Sequence, residues 1–218
     1  MKAYVRVSAE SREIELAEVA VPTPSKDEVL IAVRAFGVGV HDRYFIPPHA
    51  TFPFPIGSEG SGVIEKIGSE ITEFKKGDRV IFSSSMQIKG GSWAEYAVVS
   101  EKSIQMMPDN MEFEVGATLP VAGKTAMESI RALNLDKGDT LFVAGASGAI
   151  GSFVVQLANK QGNSCGWLCI CKKSRLSSIS RSKKSSRLYE SKLEKRNIRM
   201  ENRWSRCSIS YSIRDCKR

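Results

Sequence analysis

The sequence predicts a β plus α/β chain: an all-β, barrel-like unit followed by the beginning of a mixed α/β unit. Three observations carry this. Short runs of β type separated by turn chemistry fill Met1 to about Ser103, apolar residues at helical spacing first appear near Phe113, and the uncharged run Thr140 to Asn159 is interrupted by Gly145, Ser147, Gly148 and Gly151. With 218 residues, 42% of them hydrophobic, the chain has material for a sizeable core and exceeds one domain of about 150 residues.

The first unit is read from KAYVRV, EVLIAVRAF, SGVIEKIG, DRVIF and WAEYAVVS, divided by Pro22, Pro24, Gly57, Gly77, Asp78, Gly90 and Gly91. Helix formers then predict helices over Phe113 to Ala122 and Lys124 to Leu133 (KTAMESIRAL). A turn at Asp136, Gly138 and Asp139 leads into a buried-type strand, Thr140 to Ala144. A helix over Ala149 to Gln161 follows, closed by Gly162. The run Thr140 to Asn159 is nearly long enough to span a bilayer, but its concentrated small residues favour strand, turn and helix over a membrane span. The start, MKAYVRVSAE, alternates like a strand and has no apolar run after Lys2, so no secretory signal is read and a cytoplasmic location is expected.

Net charge divides the chain more sharply than any linker. Through Asn163 there are 16 Lys/Arg and 20 Asp/Glu, whereas Ser164 to Arg218 holds 16 Lys/Arg, 4 Asp/Glu, 13 serines and all five cysteines. The overall +8 is therefore a property of the tail.

The strongest chemical signal is Gly145-Ala146-Ser147-Gly148-Ala149-Ile150-Gly151, set between an apolar strand and a helix. Glycines there let the backbone turn sharply and approach a pyrophosphate, while the free N–H groups at the helix start favour its negative charge. Glycine-rich turns also serve close packing alone; the flanking strand and helix favour the dinucleotide reading.

In combination, LAEVAVPTPSKDEVLIAV, FPIGSEGSGVIEKIG, KKGDRV, GSWAEYAVV, GATLPVAGKTA and GASGAIG resemble the medium-chain dehydrogenase/reductase superfamily, specifically its zinc-independent quinone oxidoreductase type. The resemblance runs from Met1 to about Asn163. It implies a GroES-like β-barrel domain over 1–122 and the start of a Rossmann domain (a doubly wound parallel sheet) over 123–163; the remainder, 164–218, reads from its composition as an aberrant basic tail, out of frame and disordered. The implied reaction is hydride transfer from NADPH, with NADH also admitted, to a small-molecule quinone or enone, in an enzyme that can be homodimeric. Tyr44 matches a catalytic tyrosine near the nicotinamide. Thr125 and Gly145, Ala146, Ser147, Gly148, Ala149, Ile150 and Gly151 match cofactor-binding positions. A tyrosine at a loop end also commonly just anchors the loop, and a threonine at a helix start commonly just caps it. The family often carries Asn where this chain has Gly39, and His41 beside Asp42 reads as a proton shuttle or as a solvated loop residue. No zinc is expected. Ser58 replaces the ligating His of the zinc-type GHE motif, Ala122 replaces a Cys, and no cysteine precedes Cys165. A zinc-free alcohol dehydrogenase or enoyl reductase of the same superfamily is the alternative enzyme. A barrel with a basic nucleic-acid-binding tail is the non-enzymatic one.

The tail's cysteines, at 165, 169, 171, 207 and 216, form no CxxC pair and are odd in number, which argues against a zinc ribbon or a disulfide framework. A reading-frame slip explains its composition better. Permitted codons for Arg175 to Leu188, read from each second base, allow DYLQSLGAKKAVDY, a segment such reductases carry after the second strand of the sheet. Met200 followed by Glu201 must give Trp in the shifted frame, and Trp204 followed by Ser205 must give Gly. A nucleotide read from independent DNA across codons 155 to 218 and beyond is expected to recover that frame; an undisturbed frame shared by an intact relative would overturn the slip.

Overall fold

The computed structural model describes residues 1–171 and 174–177. Met1–Val121 forms one compact unit and a second begins at Ala122, one residue before the boundary read from the sequence.

The first unit is built from two antiparallel sheets. Strands β1 (Lys2–Arg6), β2 (Ile14–Glu18) and β4 (Phe54–Pro55) make the smaller one in the order β2-β1-β4. Strands β3 (Glu28–Phe36), β5 (Glu59–Ile67), β6 (Arg79–Ser83), β7 (Tyr96–Ser100) and β8 (Ile104–Met106) make the larger one in the order β7-β3-β5-β6-β8. Alternation decides which side chains enter the core. Val80 and Phe82 of β6 are buried while Arg79, Ile81 and Ser83 between them are not. Val29, Ile31, Ile64, Ala97 and Val99 meet them in one apolar cluster. The pairing of β3 with β5 depends on Gly62, where a Cβ would lie 2.3 Å from the carbonyl oxygen of Ala32 on the neighbouring strand.

The helix expected over Phe113 to Ala122 is divided. Only α1 (Phe113–Gly116) is α-helical, and Leu119–Gly123 forms a π-helical turn. Pro120 accounts for the break, because it has no N–H to continue the helical ladder. The helix α2 (Lys124–Leu133) follows as expected and ends on Asn134 in the left-handed conformation.

In the second unit, β9 (Thr140–Ala144), α3 (Ala149–Lys160) and β10 (Ser164–Cys171) form a βαβ unit. Ser164 pairs with Thr140 and Leu168 with Ala144 in parallel register. A short antiparallel strand, β11 (Ser174–Ser177), completes the sheet order β11-β10-β9. This corrects the expectation that the segment after Asn163 is disordered from its first residue. The change in composition at Ser164 does not interrupt the sheet, because parallel pairing is made by the backbone. The first inward side chain, Cys165, is small enough to be fully buried with Val143, Val154, Val155 and Ala158. Burial raises the Cys165 thiol pKa. The basic segment 178–218 lies outside the described residues.

No helix among the described residues is long and apolar enough to cross a membrane, so the run Thr140 to Asn159 is a strand and a helix. Replacing Ile31, which is fully buried in the larger sheet's core, with Ala is expected to destabilise the first unit by about 2–5 kcal/mol. Its urea unfolding midpoint reads that loss.

Candidate functional site

In the second unit the glycine-rich segment is a tight connection between β9 and α3. Gly145 has φ +72° and open space beside it, a conformation that an L side chain rarely adopts. Its carbonyl accepts the N–H of Gly148 at 2.9 Å, which folds the turn back on itself. Gly148 is the N-cap of α3, and Gly151 occupies the first helical turn. A Cβ on Gly151 would lie 2.4 Å from the Gly145 carbonyl oxygen, so the loop reaches the helix only because that position is bare. Ala146 is buried and roots the loop in the apolar cluster, while Ser147, Ala149 and Ile150 are exposed around it.

The donors at this end of α3 are the chemically important feature. No side chain caps the helix, and the first intrahelical bond runs from the Ser152 N–H to the Gly148 carbonyl at 2.9 Å. The N–H groups of Ala149, Ile150 and Gly151 therefore have no intrahelical acceptor and point out of the helix start. Such an end is complementary to an anion and suits a phosphate group that approaches the main chain closely. All seven residues predicted for the phosphate loop lie in this one turn and helix start.

Thr125 is exposed at the second position of α2, whose N-cap is Gly123. The Thr125 carbonyl accepts the Ser129 hydroxyl at 2.8 Å, within the helix. The N-cap, Gly123, makes no side-chain cap bond at this end.

In the first unit, Tyr44 closes the turn Gly39 to Tyr44 and is about half exposed, at 52%. Its N–H donates to the His41 carbonyl at 2.7 Å, and the Arg12 guanidinium lies 5.4 Å from its ring centroid. His41 is exposed and lies 5.6 Å from the Phe45 ring, between centroids. Asp42, by contrast, is buried at 4% exposure. Its carboxylate accepts the Gly39 N–H at 2.6 Å and the hydroxyl of Ser58. Ser58 is thus a donor to a carboxylate. Among the described residues no group of three His, Cys, Asp or Glu side chains could hold a metal ion.

Two residues that the sequence did not single out complete this region. Glu59, the first residue of β5, accepts the Val121 N–H at 2.8 Å and lies against the bare α-carbon of Gly37. Desolvation raises its pKa, and the nearby Asp42 charge adds to the rise. Arg6 is buried at the end of β1 and donates to the carbonyls of Ser8, Ala9, Ser11 and Arg43. Strand alternation alone would have placed it outward with Lys2 and Tyr4. A shallow groove of about 550 Å³ on the same unit, lined by Tyr4, Leu16, Phe36 and Trp93 among others, contains none of the predicted site residues.

The raised Glu59 pKa fixes the sign of a pH effect. A carboxyl whose folded pKa exceeds its unfolded one stabilises fully below the unfolded value near 4.5, and that contribution is lost as pH rises through the folded value. Glu59→Gln abolishes the titration. The variant's stability relative to the parent should therefore increase as pH rises across that interval and then level off. Urea denaturation at a series of pH values measures this, and a difference independent of pH would place the Glu59 charge in water.

Comparison with known proteins agrees with these elements. Residues 25–109 match the alcohol dehydrogenase GroES-like domain. A human quinone oxidoreductase is 34% identical over 150 residues, which cover 66% of this chain and 45% of that protein. A mycobacterial protein solved in complex with NADPH superposes with a TM-score of 0.68 at 27% identity, over 77% of this chain and 52% of that one. A thermostable alcohol dehydrogenase from Pyrobaculum aerophilum, solved with cobalt and zinc bound, gives 0.67 at 26% identity, over 77% and 59%. The chain spans less than half the length of the curated relatives it matches. Its GroES-like segment, its βαβ start and its similarity to quinone oxidoreductases are features that the chain shares with medium-chain dehydrogenase/reductases.

Proposed function

We propose that the protein represented by this chain is an NADPH-dependent reductase of quinones or other conjugated carbonyls and needs no zinc. The observation that carries the reading is the uncapped start of α3 behind the Gly145 to Gly151 turn, where three outward N–H groups and a bare backbone surface suit a pyrophosphate. When bound, the nicotinamide cofactor supplies the hydride, which forms a new bond to the acceptor and leaves NADP⁺, while the reduced acceptor takes up a proton. The chain's own contribution is to hold the phosphates at Ala149, Ile150 and Gly151 and to keep the loop rooted through Ala146. In the first unit Tyr44, at the rim of its turn, is the residue assigned to the acceptor side.

Zinc independence rests on donor chemistry. A catalytic zinc site needs imidazole, thiolate or free carboxylate ligands. Ser58 and Ala122 provide none, and the Asp42 carboxylate is already engaged by the Gly39 N–H and the Ser58 hydroxyl.

The 218-residue chain itself is assigned little or no turnover. It carries less than half of the relatives' length, and among the described residues its sheet has one parallel pair where a doubly wound domain has several. The second strand, where residues that distinguish NADPH from NADH are normally carried, falls in the tail of altered composition.

Purified 218-residue chain is therefore expected to oxidise NADPH no faster than background with a quinone acceptor. The protein expressed with the tail's frame restored is expected to turn over, with a rate unchanged by a metal chelator. Turnover by the short chain would refute its inactivity, and loss of the restored enzyme's rate in chelator would refute zinc independence.

A further inference from the structure

We propose that Arg6 is a positioning residue for the turn that carries Tyr44; the proposal rests on the reading of Tyr44 as part of the acceptor site. Arg6 is 8% exposed, and none of the ion pairs among the described residues includes it. A buried cation without a carboxylate is costly unless each donor finds an acceptor. Here the acceptors are main-chain carbonyls from two separate loops. Nε donates to Ser11 O at 2.8 Å, Nη2 to Ser8 O at 3.1 Å and to Ala9 O, and Nη1 to Arg43 O at 3.2 Å. The Phe52 ring lies beneath the guanidinium, with its centroid 5.9 Å away.

This arrangement uses a property specific to the guanidinium. Its planar fork projects donors in several directions at once, so one side chain can hold the Ser8 to Ser11 loop and, on another edge, the residue immediately before Tyr44. An ammonium is a compact point donor on a flexible stem and cannot reproduce that spread. The same turn is fixed at its other side by Asp42, through the Gly39 N–H and the Ser58 hydroxyl. Two side chains of opposite charge thus bracket the turn, each engaged by hydrogen bonds to backbone or hydroxyl groups. Arg12, held in the sequence just beyond the first loop, lies over the Tyr44 ring, so the two loops that Arg6 joins are also those that meet at Tyr44. A change at Arg6 should therefore be felt at Tyr44 although Arg6 acts only through backbone carbonyls.

The test is hydrogen–deuterium exchange by mass spectrometry on the full 218-residue chain, with tyrosine nitration mapped on the same samples. Arg6→Met is expected to speed exchange in peptides covering residues 8–11 and 39–46 by about tenfold and to change the nitration rate of Tyr44 relative to Tyr96, while exchange in β3 and β5 stays as in the parent. Arg6→Lys retains the charge and serves where the Met variant fails to fold; it is expected to loosen residues 39–46 as well. Uniform loss of protection across β3 and β5 would assign Arg6 to general packing and overturn the proposal. Restoration of both loops by Lys would overturn it too, because charge alone would then suffice. Adding tetramethyl-1,4-benzoquinone with NADPH to the protein expressed with the tail's frame restored examines the acceptor reading separately. Protection at residues 39–46 supports that reading. Its absence, with the Arg6 effect intact, removes Tyr44 from the acceptor site and leaves the positioning of the turn in place.

Discussion

Removal of charge from water is the constraint on which the turn that carries Tyr44 depends. Arg6, Asp42 and Glu59 are all withdrawn from solvent to some degree, and each is compensated by hydrogen bonds to backbone or hydroxyl groups rather than by an ion pair. The consequence is mechanical, because a charge satisfied by main-chain partners fixes the course of the chain that supplies them. Arg6 ties Ser8 to Ser11 to the turn before Tyr44, Asp42 ties that turn to Ser58, and Glu59 ties the start of β5 to Val121. The ion pairs Lys26–Glu70 and Lys76–Glu65 lie on the exposed surface at 3.6 and 2.8 Å, where solvent screening leaves them little influence on the fold. Order around Tyr44 therefore derives from buried polar groups, and their partners cannot be removed singly without leaving a charge unmatched.

The second unit follows the reverse principle. Its glycine-rich turn places no charged side chain at the helix start and leaves three backbone donors without an intrahelical acceptor. What makes the arrangement tolerable is that those donors face outward, while the inner side of the turn is rooted by Ala146 in an apolar cluster of small and branched side chains. An anion would complete the donors' hydrogen bonding and oppose the helix dipole at once. The buried charges around Tyr44 thus find partners within the first unit, whereas the start of α3 leaves donors that an anion would satisfy.

Legibility in the sequence followed whether a feature depends on local pattern or on distant partners. Strands β3, β5, β6 and β7 were readable because alternation or apolar runs bounded by turn residues mark a buried face, and the phosphate turn because its glycines have a backbone role fixed by position. Ile14–Glu18 was not singled out as a strand, since its two acidic residues and mostly exposed pattern reflect an edge position rather than a core face. The helix over Phe113 to Ala122 was overextended because helical spacing was weighed without the missing N–H of Pro120. Arg6 was invisible for a deeper reason. Its partners are carbonyls, which every residue has, so no sequence pattern announces them. Glu59 was likewise hidden, because its environment is created by Gly37, Asp42 and Val121, which are distant in sequence.

The strand Ser164–Cys171 shows how far backbone order can be separated from side-chain meaning. Five residues of β10 pair in register with β9 although the composition changes at the first of them. Parallel pairing asks only for N–H and C=O groups at the right spacing and for a side chain at Cys165 that fits beneath α3, conditions that many unrelated sequences meet. Cofactor selection asks for more, since the ribose end of a dinucleotide is read by particular side chains after the second strand. A slip in reading frame at this point would therefore leave the βαβ geometry and its phosphate turn intact while replacing the residues that complete the binding site. The presence of β10 is therefore compatible with an altered frame, since the first steps of the second unit's fold do not depend on the side chains that such a slip would replace.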